Sequence, residues 1–195
     1  MSYSRAYYSR MIQVIERLDH AQIEKAMDLV EGAWKAGQQI FTFGNGGSGS
    51  TASHFICDWN KGVSYQKAQR VRGICLNDNL PTLLAYSNDV SYESVFSEQL
   101  KNFLQPGDLV IGISGSGNSP NVLRAIEYAN DKGGVTLGLC GFKGGKLKEL
   151  ARYNVHVNVD DMQLVEDLHL SFGHCTMQRL CGHEARCFVD ETGAA

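Results

Sequence analysis

Asp108-Leu109-Val110-Ile111-Gly112-Ile113-Ser114-Gly115-Ser116-Gly117-Asn118-Ser119 compresses a strand, a loop and the start of a helix into one short segment. The run 108–113 is apolar and uninterrupted, the pattern of a strand buried on both faces. The serine- and glycine-rich stretch after it turns the chain into an amphipathic helix predicted over 119–132. Outward from this point the same unit recurs. Short apolar runs at 39–43, 71–76, 135–140 and 153–159 read as strands. Helical patterns at 48–59, 79–102, 144–151 and 161–181 separate or follow them. Strands alternating with helices imply right-handed crossovers and an α/β fold, a five-stranded parallel sheet flanked by helices.

No strand precedes residue 39. Residues 4–36 form a predicted helical pair, with Met11, Ile12, Val14, Ile15 and Leu18 on one face and Ile23, Met27, Val30 and Trp34 on the next. Asp19 lies between the two sets as a candidate cap. The expected organisation is one domain over 1–195: N-terminal helices over 1–36, an α/β core over 37–181, and a weakly patterned, mobile tail over 182–195.

Composition narrows the function classes. Of the 195 residues 43% are hydrophobic and 20% charged, with a net charge of −3. That charge gives no general attraction to nucleic acid or to an anionic membrane, so neither is an expected partner. No apolar run reaches the length of a membrane span, and Met1 to Tyr8 lacks the apolar core of a secretory signal. The expected location is the cytoplasm. Cys57, Cys75, Cys140, Cys175, Cys181 and Cys187 form no C-x-x-C pair, and in a reducing compartment they read as packing residues or free thiols.

Ligands of open α/β sheets bind beyond the carboxyl ends of the strands. Two loops fall there: Gly44 to Ser50 after the strand ending at Phe43, and Ser114 to Ser119 after Ile113. Glycine permits close backbone approach, and free N–H groups at a helix start favour an anion. Ser48, Ser114, Ser116 and Ser119 add hydroxyl donors suited to a phosphate monoester. Rival motifs fit less well. Gly44-x-Gly46-x-x-Gly49 matches the dinucleotide fingerprint, with Asp78 as its acidic partner, but that reading leaves the second loop without a role. No phosphate-loop motif with its lysine is present, and Gly112-x-Ser114-x-Ser116 lacks the final glycine of a hydrolase nucleophile elbow.

Histidines and carboxylates at helical spacing form a second candidate site. His54 and Asp58 are four apart and share a face. The last helix carries Glu166, Asp167, His169 and His174, and spacing alone does not choose between Glu166 and Asp167 as the carboxylate accompanying His174. Such a set suits a divalent ion such as Zn²⁺ or proton transfer near neutral pH. His20, His156 and His183 read as ordinary side chains, and Lys146 as a solvated helix-start residue.

Asn45-Gly46-Gly47-Ser48, Ser53-His54-Phe55, Asn88-Asp89, Ser114 through Asn121 and Val165-Glu166-Asp167-Leu168-His169, in this order and spacing, resemble the sugar isomerase (SIS) domain, and within it the phosphoheptose isomerase branch. The resemblance runs to about residue 181. It implies a homotetramer with active sites at subunit interfaces, zinc as a frequent cofactor, and interconversion of sedoheptulose 7-phosphate and glycero-manno-heptose 7-phosphate. By position, Ser48, Ser114, Gly115, Ser116 and Ser119 would hold the phosphate. Asn45, Gly46, Gly47, Asn88, Asp89 and Glu166 would line the sugar site. His54, Asp58, Glu166 and His174 would be the metal ligands, with Asp58 and His174 as the acid–base pair. Asp58 stands where these isomerases carry Glu, and Glu166 where they carry Gln. The alternatives are a non-catalytic SIS module that senses a sugar phosphate or binds a protein, and an isomerase of a different sugar phosphate.

Overall fold

The computed structural model describes residues 2–183; the expected tail beyond His183, and Cys187 with it, lies outside the described residues. Two helices lead the chain, α1 (Tyr3–Ile15) and α2 (His20–Ala36). Asp19 caps α2 through the Gln22 N–H at 3.1 Å, and Gly37 ends it in the left-handed region, a conformation glycine adopts without strain. Then follow β1 (Gln39–Gly44), α3 (Gly46–Cys57), a π-helical turn (Asp58–Val63), β2 (Arg72–Cys75), α4 (Leu80–Asp89), a 3₁₀ turn (Tyr92–Ser94), α5 (Val95–Phe103), β3 (Leu109–Ser114), α6 (Pro120–Asp131), β4 (Val135–Gly141), α7 (Gly145–Leu150), β5 (Tyr153–Val157) and α8 (Met162–Cys181).

All five strands pair in parallel in the order β2-β1-β3-β4-β5. Side chains alternate across such a sheet. Ile40, Ile111, Ile113, Leu137, Leu139 and Val155 enter one core with α2, α3 and α8. Phe41, Phe43, Val110 and Cys140 enter the other with α5, α6 and α7. The sheet is therefore a buried middle layer, as the uninterrupted apolar strands require. At its exposed edge, the Asn60 carboxamide donates to the Gly73 carbonyl at 2.9 Å and accepts from the Gly73 N–H at 3.1 Å. This occupies the side of β2 where another strand would otherwise pair.

The structure differs from sequence expectation in three places. The helix expected over 79–102 is broken between α4 and α5, where Val90 leaves helical geometry and Ser91 is extended. Asn88-Asp89-Val90-Ser91 has weak helix propensity throughout. The glycine loop expected over 44–50 is mostly helix, because α3 begins at Gly46. The helix expected to end at residue 59 continues instead as the π turn.

Candidate functional site

The chain leaves β1 toward β2 on one side, and β3 flanks β1 on the other. The switch point of the sheet thus lies between β1 and β3, where open α/β sheets bind ligands. The strands there end in Gly44 and Ser114, and the two predicted loops meet. They enclose a cavity of about 130 Å³ lined by Asn45, Ser48, Ser114, Gly115, Ser116, Ser119, Met162 and Glu166. Larger depressions lie elsewhere. The one of about 360 Å³ between α1 and the start of α8 contains Arg10 and Asp161, which pair with each other at 3.1 Å.

Helix starts are treated unequally. Side chains of Ser2, Asp19, Asn79 and Asp161 cap α1, α2, α4 and α8. Asn45 and Ser119, at the cap positions of α3 and α6, make no such bond. Two helix starts thus converge on the cavity, a favourable field for an anion. The start of α3 has no side-chain cap on its N–H groups, whereas at α6 Pro120 has no N–H and the Val122 N–H is taken by Asn121 Oδ1. Ser114 Oγ and Ser119 Oγ are 3.0 Å apart, and Ser116 Oγ accepts from the Asn118 N–H at 3.2 Å. The serine loop is braced from outside by α7. Gly117 O accepts from the Leu147 N–H at 2.9 Å and Asn118 Oδ1 from the Lys146 N–H at 3.1 Å. The start of α7 therefore holds the loop through the Lys146 backbone. Gly117 has φ +67, and a Cβ there would overlap the Gly144 carbonyl.

Glu166 reaches the cavity by lying against Gly47, where an added Cβ would sit 2.5 Å from its carboxylate oxygens. Asp167 faces the other way and accepts from the Tyr7 hydroxyl at 2.6 Å, and this contact raises the Tyr7 phenol to about 12. Of the two carboxylates that spacing offers beside His174, α1 engages Asp167 and Glu166 faces the cavity, so neither joins His174.

The second cluster lies along α3 and α8. His54 Nε2 is 3.3 Å from Asp58 Oδ2 and 3.0 Å from His174 Nε2, and His174 Nε2 is 3.7 Å from Asp58 Oδ2. The three ligand atoms all lie within 4.8 Å of one another. Two imidazole nitrogens and a carboxylate oxygen so placed fit a borderline divalent cation. Glu166 is not within this cluster. The two helices come close because Gly173 has no side chain; a Cβ there would overlap the Phe55 ring. Trp59, fully buried and stacked on Phe55, donates its indole N–H to the Gly173 carbonyl at 3.3 Å. Asp58 opens the π turn, a geometry common at functional sites.

Asn88 and Asp89 stand at the exposed end of α4, where Asn88 donates to Asp89 at 2.8 Å; neither lines the cavity. That region touches the site through Tyr92, whose hydroxyl donates to Asn45 Oδ1 at 2.8 Å. Asn121 also bonds Asn45. Sequence reading gave no role to Tyr92, Met162 or Trp59, and nothing in their local pattern marks them. Asn121 belongs to the serine motif, yet spacing gave it no separate task. His156, read as ordinary, has Nε2 2.9 Å from the Phe142 carbonyl and Nδ1 3.1 Å from Lys148 Nζ. The buried Cys75 and Cys140 thiols are free, and burial raises them to about 11 and about 12, consistent with packing roles.

A sheet of this order, with two helix starts and a serine loop at its switch point and a His/Asp/His cluster on the adjoining helices, defines an α/β domain built to take a small anionic ligand. The chain belongs to the SIS domain family, whose model matches residues 3–141. It is 38% identical over 168 residues to the phosphoheptose isomerase of Crocosphaera subtropica, covering 86% of this chain and 83% of that protein. To the phosphoheptose isomerase of Aliarcobacter butzleri it is 36% identical over 173 residues, 89% and 90% of the two chains. Among solved structures, the phosphoheptose isomerase GmhA of Neisseria gonorrhoeae has the same fold, with a TM-score of 0.83 at 24% identity, covering 92% of this chain and 97% of that one. No described helix is long and apolar enough to cross a membrane.

Proposed function

We propose that this chain is an aldose–ketose isomerase that interconverts sedoheptulose 7-phosphate and glycero-manno-heptose 7-phosphate. The observation that carries this reading is that α3 and α8 each connect the serine cavity to the His54–Asp58–His174 cluster. Ser48 and His54 are six residues apart on α3, and Glu166 and His174 eight apart on α8, or about 9 and about 12 Å along the helix axes. The cavity suits a phosphate group and not a whole sugar. A sugar phosphate anchored there extends its opposite end toward the cluster, and in a heptose 7-phosphate that end carries the carbonyl.

Phosphate binding by Ser48, Ser114, Ser116, Ser119 and the helix N–H groups fixes the sugar, so its remote binding energy orients the reacting carbons. Asp58 removes a proton from the carbon beside the carbonyl, and His174 gives one to the carbonyl oxygen, leaving an enediol. Return of a proton to the neighbouring carbon, with loss of the hydroxyl proton from the other oxygen, completes the isomerisation with no net gain or loss. His54, Asp58 and His174 are the residues that would hold a divalent ion, zinc by the chemistry of the donors, and when bound it would polarise the carbonyl. Glu166, which lines the cavity, accepts hydrogen bonds from sugar hydroxyls. His54 and His174 are each nearly half exposed (46% and 48%), which suits a site completed by a second copy of the chain.

Interconversion followed by NMR tests the reading. The chain should convert sedoheptulose 7-phosphate, and Asp58→Asn should lower turnover by about 10²–10⁴-fold while sugar-phosphate binding survives. Tight binding without turnover by the unaltered chain would move it to the sensing class.

A further inference from the structure

We propose that Asn121 and Tyr92 are positioning residues. They lock the Asn45 carboxamide so that it presents an N–H donor, and not a carbonyl acceptor, to an oxygen of the bound sugar phosphate. The inference rests on the reading of the cavity given above.

An asparagine side chain is normally free to exchange its oxygen and nitrogen by rotation, and only its neighbours fix the choice. Here the neighbours fix it in sequence. The Val122 backbone N–H can only donate, and it gives its hydrogen to Asn121 Oδ1 at 3.0 Å. Asn121 is 1% exposed, so water offers its amide no alternative partner. With its oxygen assigned, Asn121 Nδ2 donates to Asn45 Oδ1 at 2.8 Å, and Asn45 Nδ2 donates back to Asn121 Oδ1 at 2.9 Å. Rotating Asn45 by half a turn would set oxygen against oxygen and nitrogen against nitrogen.

Tyr92 adds a second lock. Its hydroxyl donates to Asn45 Oδ1 at 2.8 Å, which gives that oxygen two donors and fills both of its lone-pair directions. Asn45 Nδ2 has spent one of its two hydrogens. The single hydrogen-bonding capacity left on a side chain that lines the cavity is therefore one N–H. Asn45 is also an asparagine at a helix cap position that does not cap, against the usual preference. Its carboxamide is held across the switch point by the second residue of α6. The pair thus ties together the two helix starts that face the anion.

The test is Asn121→Asp, read as KM and kcat for sedoheptulose 7-phosphate from pH 5 to pH 8.5. An ionised carboxylate at this position offers only acceptors, so one contact with Asn45 becomes repulsive in either orientation. KM should rise by about tenfold or more at pH 8, with a smaller change in kcat. Once protonated, the introduced carboxyl regains a donor and can again serve Asn45 Oδ1. The KM defect should therefore shrink as pH falls, a profile that simple loosening of the fold would not give. Tyr92→Phe, at a half-exposed position that folding tolerates, should raise KM severalfold with no such recovery. If Asn121→Asp fails to fold, Tyr92→Phe decides alone. KM values that follow the unaltered chain at every pH overturn the inference while the isomerase reading stands. An unaltered chain that neither binds nor converts the sugar phosphate overturns the reading itself.

Discussion

His169 sits on α8 between the two halves of the site, 1% exposed, with neither ring nitrogen making a hydrogen bond. Burial lowers it from 6.5 to about 4; the Cys140 backbone opposes the shift and His156 adds to it more weakly. A base whose folded pKa is depressed takes up protons first in the unfolded chain. Stability is therefore full above about pH 6.5 and is lost as pH falls toward about pH 4, by at most about 3 kcal/mol from this residue. Denaturant unfolding between pH 7 and pH 4 checks this: His169→Phe should remove most of the slope, and an unchanged slope would refute the assignment. Nothing in Val165-Glu166-Asp167-Leu168-His169 announces a buried imidazole. Helical spacing gives relative angles, whereas which angle faces the core depends on what packs there. The same limit left Glu166 and Asp167 undivided until Tyr7 on α1 engaged one of them.

At the scale of elements, the junction of α3 with α8 governs the candidate chemistry. Gly173 lets Phe55 approach and Trp59 fastens the crossing, so His54 and Asp58 meet His174 from opposite helices. Gly173→Ala would force the helices apart, costing about 1–3 kcal/mol in stability. It should also weaken zinc binding, measured by elemental analysis of protein purified without chelator, with His54→Ala as the reference for loss of a ligand. Full zinc occupancy in both variants would remove the cluster as a metal site. The sequence made the i, i+4 pair of His54 and Asp58 legible, because that relation is internal to one helix. It did not make the π turn legible, since an i→i+5 bond leaves no periodic trace in so short a stretch. Nor did it reveal the break after α4, where apolar residues continue at helical intervals across a backbone that Val90 and Ser91 carry out of the helix.

For the molecule as a whole, alternation of strand and helix was enough to give five parallel strands and the edge at which both loops lie. The strand order was not available from that pattern, and it is the order that brings the two loops together. The first helix shows a related limit. Met11, Val14 and Leu18 pack against Val157, Val165 and Leu168, whereas Ile12 and Ile15, which share the predicted apolar face, remain 56% and 38% exposed beside Tyr8 at 61%. An exposed apolar stripe of this kind marks an interaction surface, and assembly through it is testable. Sedimentation should give a mass that is a multiple of 21.5 kDa, and Ile12→Glu should reduce it toward the monomer without loss of helix content. A monomer before substitution would exclude the assembly. The two faces of the sheet also divide the proposed labour in part. The serine loop is braced from the α6 and α7 side, while His54 and His174 ride on α3 and α8, and Asp58 on the π turn that follows α3, across the sheet. On the proposed assignment the serine loop can therefore vary independently of the cluster, whereas Ser48 shares α3 with His54. A descendant that lost or replaced the three chemical residues would keep its grip on phosphate, so the same scaffold is equally suited to becoming a catalyst for another phosphosugar or a receptor that only registers one.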